Sequence, residues 1–152
     1  MSVTQTVPTI RNAGTQPIAP RKLFVNIPVA DVQRSIDFFE KLGFAFNQQF
    51  TDSTATCMLV GADSYFMLLT RERFQSFAKR PVGSSANETS ALYAISADSR
   101  AEVDDIVNKA IAAGGSHVAD PQDHGFMYLW SFYDLDGHHW EVFWMDPAGI
   151  QR

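Results

Sequence analysis

One order of elements occurs twice along this sequence, and that duplication limits the possible folds more than any single residue does. The first copy opens with an apolar run, Leu23-Phe-Val-Asn-Ile-Pro-Val29, that reads as a strand. Asp31 then stands where a helix N-cap would stand, its carboxylate able to accept from the free amides of the first turn. Val32, Ile36, Phe39 and Leu42 recur at three- and four-residue steps, one apolar stripe, and Gly43 supplies the stop. Three short runs follow, Phe44 to Phe50, Ala55 to Val60 and Tyr65 to Thr70, the last two joined by the turn Gly61-Ala-Asp-Ser64. The second copy repeats this order as strand Ala91 to Ser96, cap Asp98, helix Arg100 to Ala113, stop Gly114-Gly115, and runs Ser116 to Ala119, Phe126 to Tyr133 and His138 to Trp144. Its last turn is Asp134-Leu-Asp-Gly137, and Asp-Gly is a strong hairpin signal. Val29 precedes Ala97 by 68 residues and Asp63-Ser64 precedes Asp136-Gly137 by 73, so only short loop insertions separate the copies. The pattern predicts an α+β fold of two βαβββ modules.

The boundaries follow from where the periodicity starts and stops. Residues 1–21 hold three prolines and no hydrophobic period and read as a flexible leader. A single domain is predicted over 22–146, with module one at 22–70, a linker at 71–90 and module two at 91–146, leaving 147–152 as a tail. Within the linker, Arg71 to Lys79 has the pattern of a short amphipathic helix, whereas Pro81 to Thr89 is rich in Gly, Ser, Asn and Pro. A chain of 152 residues that is 45% hydrophobic and 19% charged is long and apolar enough for one buried core. Its net charge of −5, without a Lys/Arg-rich run, lacks the footprint of nucleic-acid binding and disfavours an anionic membrane surface. No apolar stretch approaches a membrane span, and the first residues lack the order of a secretory signal. The lone Cys57 cannot form an internal disulfide, which fits a reducing, cytoplasmic setting.

The ends of the domain carry the more specific motifs. Val29-Ala-Asp31, then Ser35-Ile-Asp-Phe-Phe39 and Leu42-Gly43-Phe44, resembles the opening of vicinal-oxygen-chelate proteins, the superfamily of glyoxalases, bleomycin-resistance proteins and extradiol dioxygenases. The close, Phe132-Tyr-Asp-Leu-Asp-Gly-His-His-Trp-Glu-Val142, is similar to that superfamily's F-x-D-P-D-G-H-x-W-E-V ending, with Leu135 where proline is commoner. The resemblance spans Lys22 to about Asp146 and implies a glyoxalase-like fold, its mixed sheet curled around a small-molecule cleft. It also implies a homodimer, and the aromatics Phe126, Trp130, Trp140 and Trp144 exceed what one small core needs. It does not fix the chemistry, because one fold hosts many functions.

Metal-using relatives place one ligand near the start of each module and one on each last strand. Here those positions fall on Phe24, Leu68, Leu92 and Glu141, so only Glu141 remains a donor. A first-row transition metal wants three or four N, O or S donors, and the expectation is therefore no cofactor. The alternative is a divalent metal held by unusual ligands in a lactoylglutathione lyase-like or dioxygenase-like enzyme, with His139 beside Glu141 on one strand face. Within the cleft that the resemblance implies, strand parity assigns the lining to Phe24, Asn26, Phe66, Leu68, Thr70, Leu92, Ala94, His139, Glu141 and Phe143, with Tyr128 and Trp130 as further candidates. Glu141 is the candidate catalytic residue or polar anchor, since apolar neighbours desolvate a carboxylate and raise its pKa toward the range of general acid–base work. A closed core and a hydrogen-bonded structural glutamate are the competing readings. Cys57 reads as a buried apolar residue, and no phosphate loop or G-x-S-x-G elbow is present.

Overall fold

A computed structural model describes residues 19–149. Most of the predicted leader and the last residues of the tail lie outside that range. The first module runs β1 (Leu23–Val29), α1 (Val32–Lys41), β2 (Ala45–Asn47), β3 (Ala55–Gly61) and β4 (Ser64–Thr70). A second helix, α2 (Arg71–Phe77), follows without a break. The second module runs β5 (Leu92–Ser96), α3 (Arg100–Ala112), β6 (Ser116–His117), β7 (Gln122–Asp123), β8 (Met127–Tyr133) and β9 (His139–Met145). Each module forms one mixed sheet, ordered β1-β4-β3-β2 and β5-β9-β8-β6, with β7 paired to β8. In both, the first strand lies parallel to the last and the rest are antiparallel, so the sequence duplication is a duplication of topology.

The caps show how local chemistry sets the element ends. Asp31 accepts from the amide of Arg34 at 3.0 Å, as its position predicts, and Gly43 takes the left-handed φ of +102° that closes α1. In module two the cap is Ser99 and not Asp98. The Ser99 hydroxyl accepts from Glu102 N at 3.1 Å, while the Glu102 carboxylate reaches back to Asp98 N at 2.8 Å, a reciprocal arrangement close to a capping box. The run Phe44 to Phe50 is strand only over Ala45–Asn47, because Asn47 accepts from Gln49 N and turns the chain into a 3₁₀ coil.

The helix-facing sides of the two sheets share one core. Ile27, Val29, Phe66 and Leu68 from the first sheet and Phe132, Trp140 and Val142 from the second are all buried there, with Phe38 and Phe39 of α1 between them. The Phe39 and Phe66 rings lie 5.3 and 4.7 Å from that of Trp140, which is 0% exposed. Burying each such side chain contributes roughly 1.5–3 kcal/mol, so the two modules are held together mainly by this aromatic contact.

Beside the core, the turn between β8 and β9 docks on module one. Asp136 accepts from Ala30 N at 2.8 Å and from the Arg34 guanidinium at 3.2 Å. The His138 ring bonds the Pro28 carbonyl at 2.7 Å, and since a carbonyl only accepts, Nε2 carries the hydrogen. Buried Asp134 accepts from Trp140 Nε1, His138 N and Asp136 N, all between 2.9 and 3.0 Å. Burial pushes its carboxyl upward, opposed by His138 and these three donors. Ser85 of the linker donates to Asp136 O at 2.6 Å, and a Cβ on Gly137 would collide with the Ser85 carbonyl, so glycine lets the linker lie against the turn.

Candidate functional site

Which side chains can meet in a cleft is decided by strand parity. Val25, Ile27 and Val29 of β1 turn inward, and their partners Phe66, Leu68 and Thr70 share that face. The outer face carries Phe24, Asn26 and Pro28 with Tyr65, Met67 and Leu69. In module two the outer face carries Leu92, Ala94 and Ser96 with His139, Glu141 and Phe143, and then Leu129, Ser131 and Tyr133 of β8.

The expected lining is thereby divided. Phe24, Asn26, Leu92, His139, Glu141 and Phe143 lie on outer faces together with Ala94. Phe66 and Leu68 do not, being buried in the core at 7% and 0% exposure, and Thr70 caps α2 by accepting from Arg73 N at 3.2 Å. The cause is a slip of one residue. Asn26 pairs with Met67 as Ala94 pairs with Glu141, so the first-module counterpart of Glu141 is Met67 and not Leu68. A slip of one exchanges the two faces of a strand. Tyr128 and Trp130 also belong to the helix side. Tyr128 donates to Asp104 of α3 at 2.5 Å, and Trp130 Nε1 donates to the Ala119 carbonyl at 2.8 Å.

Helix α2 gives the outer face of module one a cover that parity alone could not show. It packs on β1 and β4, and Asn26, Leu69, Phe74, Phe77 and Ala78 line an open apolar groove of about 470 Å³ beside it. A more polar cavity of about 190 Å³ adjoins, bounded by Asn26, Pro28 and Phe74, by linker residues including Glu88 and Thr89, and by Tyr93, His138 and His139. Asn26 and Phe74 line both, so they stand where the two compartments meet. Phe74, Phe77, Glu88 and Tyr93 were not among the expected lining residues. Only the three-residue spacing of Phe74 and Phe77 in a short amphipathic pattern hinted at them.

His139 and Glu141 form the polar pair of the outer face. Their Nε2 and Oε1 atoms are 3.7 Å apart, beyond hydrogen-bond reach, and Nε2 is shielded from solvent with no hydrogen-bond partner among the described residues. The edge of the Tyr133 ring meets the imidazole at 5.5 Å between centroids. Burial first, and then the negative charge of Asp134, push the Tyr93 phenol upward, so at neutral pH it stays protonated. Cys57 is buried on β3, and burial raises its thiol, the state of an unreactive cysteine.

The donor set does not fit a transition metal. The corrected positions carry Phe24, Met67, Leu92 and Glu141, one carboxylate and one thioether that suits only soft ions. No group of three or more His, Cys, Asp or Glu residues converges among the described residues.

Two βαβββ modules sharing an aromatic core, with polar side chains on the outer sheet faces, define a paired-module α+β fold. The chain belongs to the Glyoxalase/Bleomycin resistance protein/Dioxygenase superfamily, whose family model matches residues 23–142. Among solved structures, it resembles a hypothetical protein from S. aureus, with 28% identity and a TM-score of 0.69 over 87% of this chain and 98% of the other. A glyoxalase-related enzyme from Fulvimarina pelagi is 19% identical at a TM-score of 0.68, covering 85% and 88%. A glyoxalase/bleomycin resistance protein/dioxygenase family enzyme from Burkholderia phytofirmans PsJN is 18% identical at 0.66, covering 80% and 96%. No curated protein matches the chain. No helix among the described residues is long and apolar enough to cross a membrane.

Proposed function

We propose that this protein binds a small organic molecule in the cleft bounded by β1, α2, the linker and the start of β9, without a metal. The observation that carries this reading is that Asn26 of module one and His139 of module two line one cavity, roofed by α2 and the linker. Small-ligand sites are commonly such concave, largely apolar places with a few convergent polar groups. His139 lines the polar compartment, and its buried Nε2 has no hydrogen-bond partner among the described residues. Glu141, 3.7 Å from that nitrogen on the same strand face, is the candidate proton holder if the ligand turns over. The buried lone Cys57 suits a reducing compartment, and we place the protein in the cytoplasm.

The protein is further proposed to work as a homodimer, for a different reason than its tryptophans. Trp140 is consumed by the internal core, and the exposed large apolar side chains include Leu23, Phe24 and Leu92 at 61%, 47% and 56% exposure, beside Phe50, Leu59, Phe77 and Phe126. Light scattering at micromolar concentration is expected to give about twice the 16.9 kDa chain mass, and the mass of one chain would contradict it.

Thermal unfolding against a metabolite library, in buffer containing EDTA, tests the binding reading, because a ligand of the native state raises Tm by mass action. At least one compound is expected to stabilise the protein and to lose its effect in His139→Ala. Stabilisation that appears only when Zn, Ni, Co, Mn or Fe(II) is added contradicts the metal-free reading. Glu141→Gln then separates roles, since lost turnover with intact binding marks proton transfer and lost affinity marks an anchor.

A further inference from the structure

From Arg71 to Leu92 no residue is buried, although Leu68 and Leu69 just before the run and Ile95 just after it are. Few buried contacts mark a segment that opens locally at low cost. The segment is nonetheless braced from within. Arg71 donates to the carbonyls of Val82 and Gly83, both at 3.2 Å, and Gln75 donates to Arg80 O and accepts from Val82 N, both at 3.1 Å. These bonds tie α2 to the linker that follows it, so the two form one unit. Beyond the Thr70 cap, that unit makes one hydrogen bond to the rest of the described residues, from Ser85 Oγ to Asp136 O at 2.6 Å. None of the ion pairs among the described residues involves it. The same unit walls three adjoining compartments. Phe74 and Phe77 line the apolar groove, Phe74 and Ser85 the polar compartment, and Arg71 and Ser85 a larger cavity that shares Pro28 and Gly137 with the polar one.

We propose that Arg71 to Ala91 is a lid over the cleft, hinged at Thr70 and Leu92 and latched shut by Ser85 on Asp136. Its role in admitting a ligand rests on the binding reading above; its motion does not. The internal bonds keep α2 and the linker together as the lid lifts. Lifting it joins the three compartments into one and uncovers Leu69, which α2 leaves 3% exposed. It exposes little further apolar surface of its own, because Phe77 is already 65% exposed and Phe74 only half-buried. The latch opens and re-forms readily, since losing one ordinary hydrogen bond shifts an equilibrium only about 2- to 12-fold. Gly137 serves the latch by leaving room for the Ser85 carbonyl, which a Cβ there would strike.

Hydrogen exchange read by NMR on the full chain tests the motion. The amides of Ala78, bonded to Phe74 O, and of Val82, bonded to Gln75 Oε1, are expected to share one opening constant, at least about a hundredfold larger than that of β8 and β9 amides. Ser85→Ala is expected to raise both by the same factor, about 2 to 12, without changing β8 or β9. Ser84→Ala, which removes only the acceptor of Ala86 N, is expected to change neither. A thiol under the lid reads access. In Cys57→Ala combined with Leu69→Cys, its fold checked by Tm, dithiobis-nitrobenzoate is expected to react at the rate that the opening constant sets, and Ser85→Ala to raise that rate by the same factor. Different opening constants for Ala78 and Val82, a Ser85→Ala effect that stops at Val82, or a thiol that reacts no faster than global unfolding allows overturns the inference. Both readouts use the free chain, so a lid that fails to open leaves the binding reading in place, and a library without a ligand leaves the lid in place.

Discussion

The two modules share a topology but treat their outer sheet faces differently. Module one continues from β4 straight into α2, which folds back over β1 and β4 and buries Leu69 at 3% exposure. Module two ends β9 in the short Pro147–Gly149 coil, and its outer face keeps Leu92 exposed and Glu141 half-buried. Their hairpin turns differ as well. In module one, Asp63 pairs with Lys22 at 3.4 Å on the surface, whereas in module two the Asp134 to His138 turn is buried and bonded to module one. Duplication fixed the scaffold, and the additions after each last strand and at each turn set how each outer face is covered. Shelter comes from module one, and the polar pair from module two.

The largest effect is expected at the one-residue register: Leu68→Ala should cost about 3–4 kcal/mol by opening a cavity in the shared core, and Met67→Ala on the outer face clearly less. Equal losses in urea titrations would mean that the strand faces are misassigned. Next, Asp134→Ala strips acceptors from Trp140, His138 and Asp136 and should cost about 2–3 kcal/mol, while Asp63→Ala leaves Tm within error. A large shift for Asp63→Ala would erase the asymmetry between the turns. The smallest effect concerns Tyr128, whose phenol is pushed up to about 12 by burial and by its bond to Asp104. The raised value favours the neutral form, so its contribution is complete below about pH 10 and lost as pH rises toward 12. Tyr128→Phe should cost about 1 kcal/mol at pH 8 and flatten that alkaline decline, followed by denaturation at each pH.

The fold was legible because its signals are local and repeated. The Asp31 cap, the Val32 to Leu42 stripe, Gly43 and the Asp134 to Gly137 turn all act over a few residues, and each occupies the place its chemistry implies. The lining was half legible. Parity placed Phe24, Asn26, Leu92, His139, Glu141 and Phe143 correctly on outer faces, since alternation is intrinsic to a strand. Leu68 and Phe66 failed because the hairpin between β3 and β4 is irregular at Leu59 to Gly61, and an offset taken from turn residues misses the strand phase by one. Tyr128 and Trp130 failed because alternating aromatics identify a face without saying which element covers it. The roof was legible only as a short amphipathic helix over Arg71 to Lys79, since the docking of α2 and the linker depends on contacts distant in sequence, such as Ser85 with Asp136.

The central claim is a cleft that works without a metal, and metal analysis of the purified chain tests it most directly. Phe24, Met67 and Leu92 stand at three of the four positions that the family resemblance implies for donors, leaving Glu141 alone. Protein prepared without chelator is expected to carry well below one equivalent of Zn, Ni, Co, Mn or Fe, and none of these ions should raise its Tm. About one equivalent of bound metal, lost in Glu141→Gln, would contradict the account.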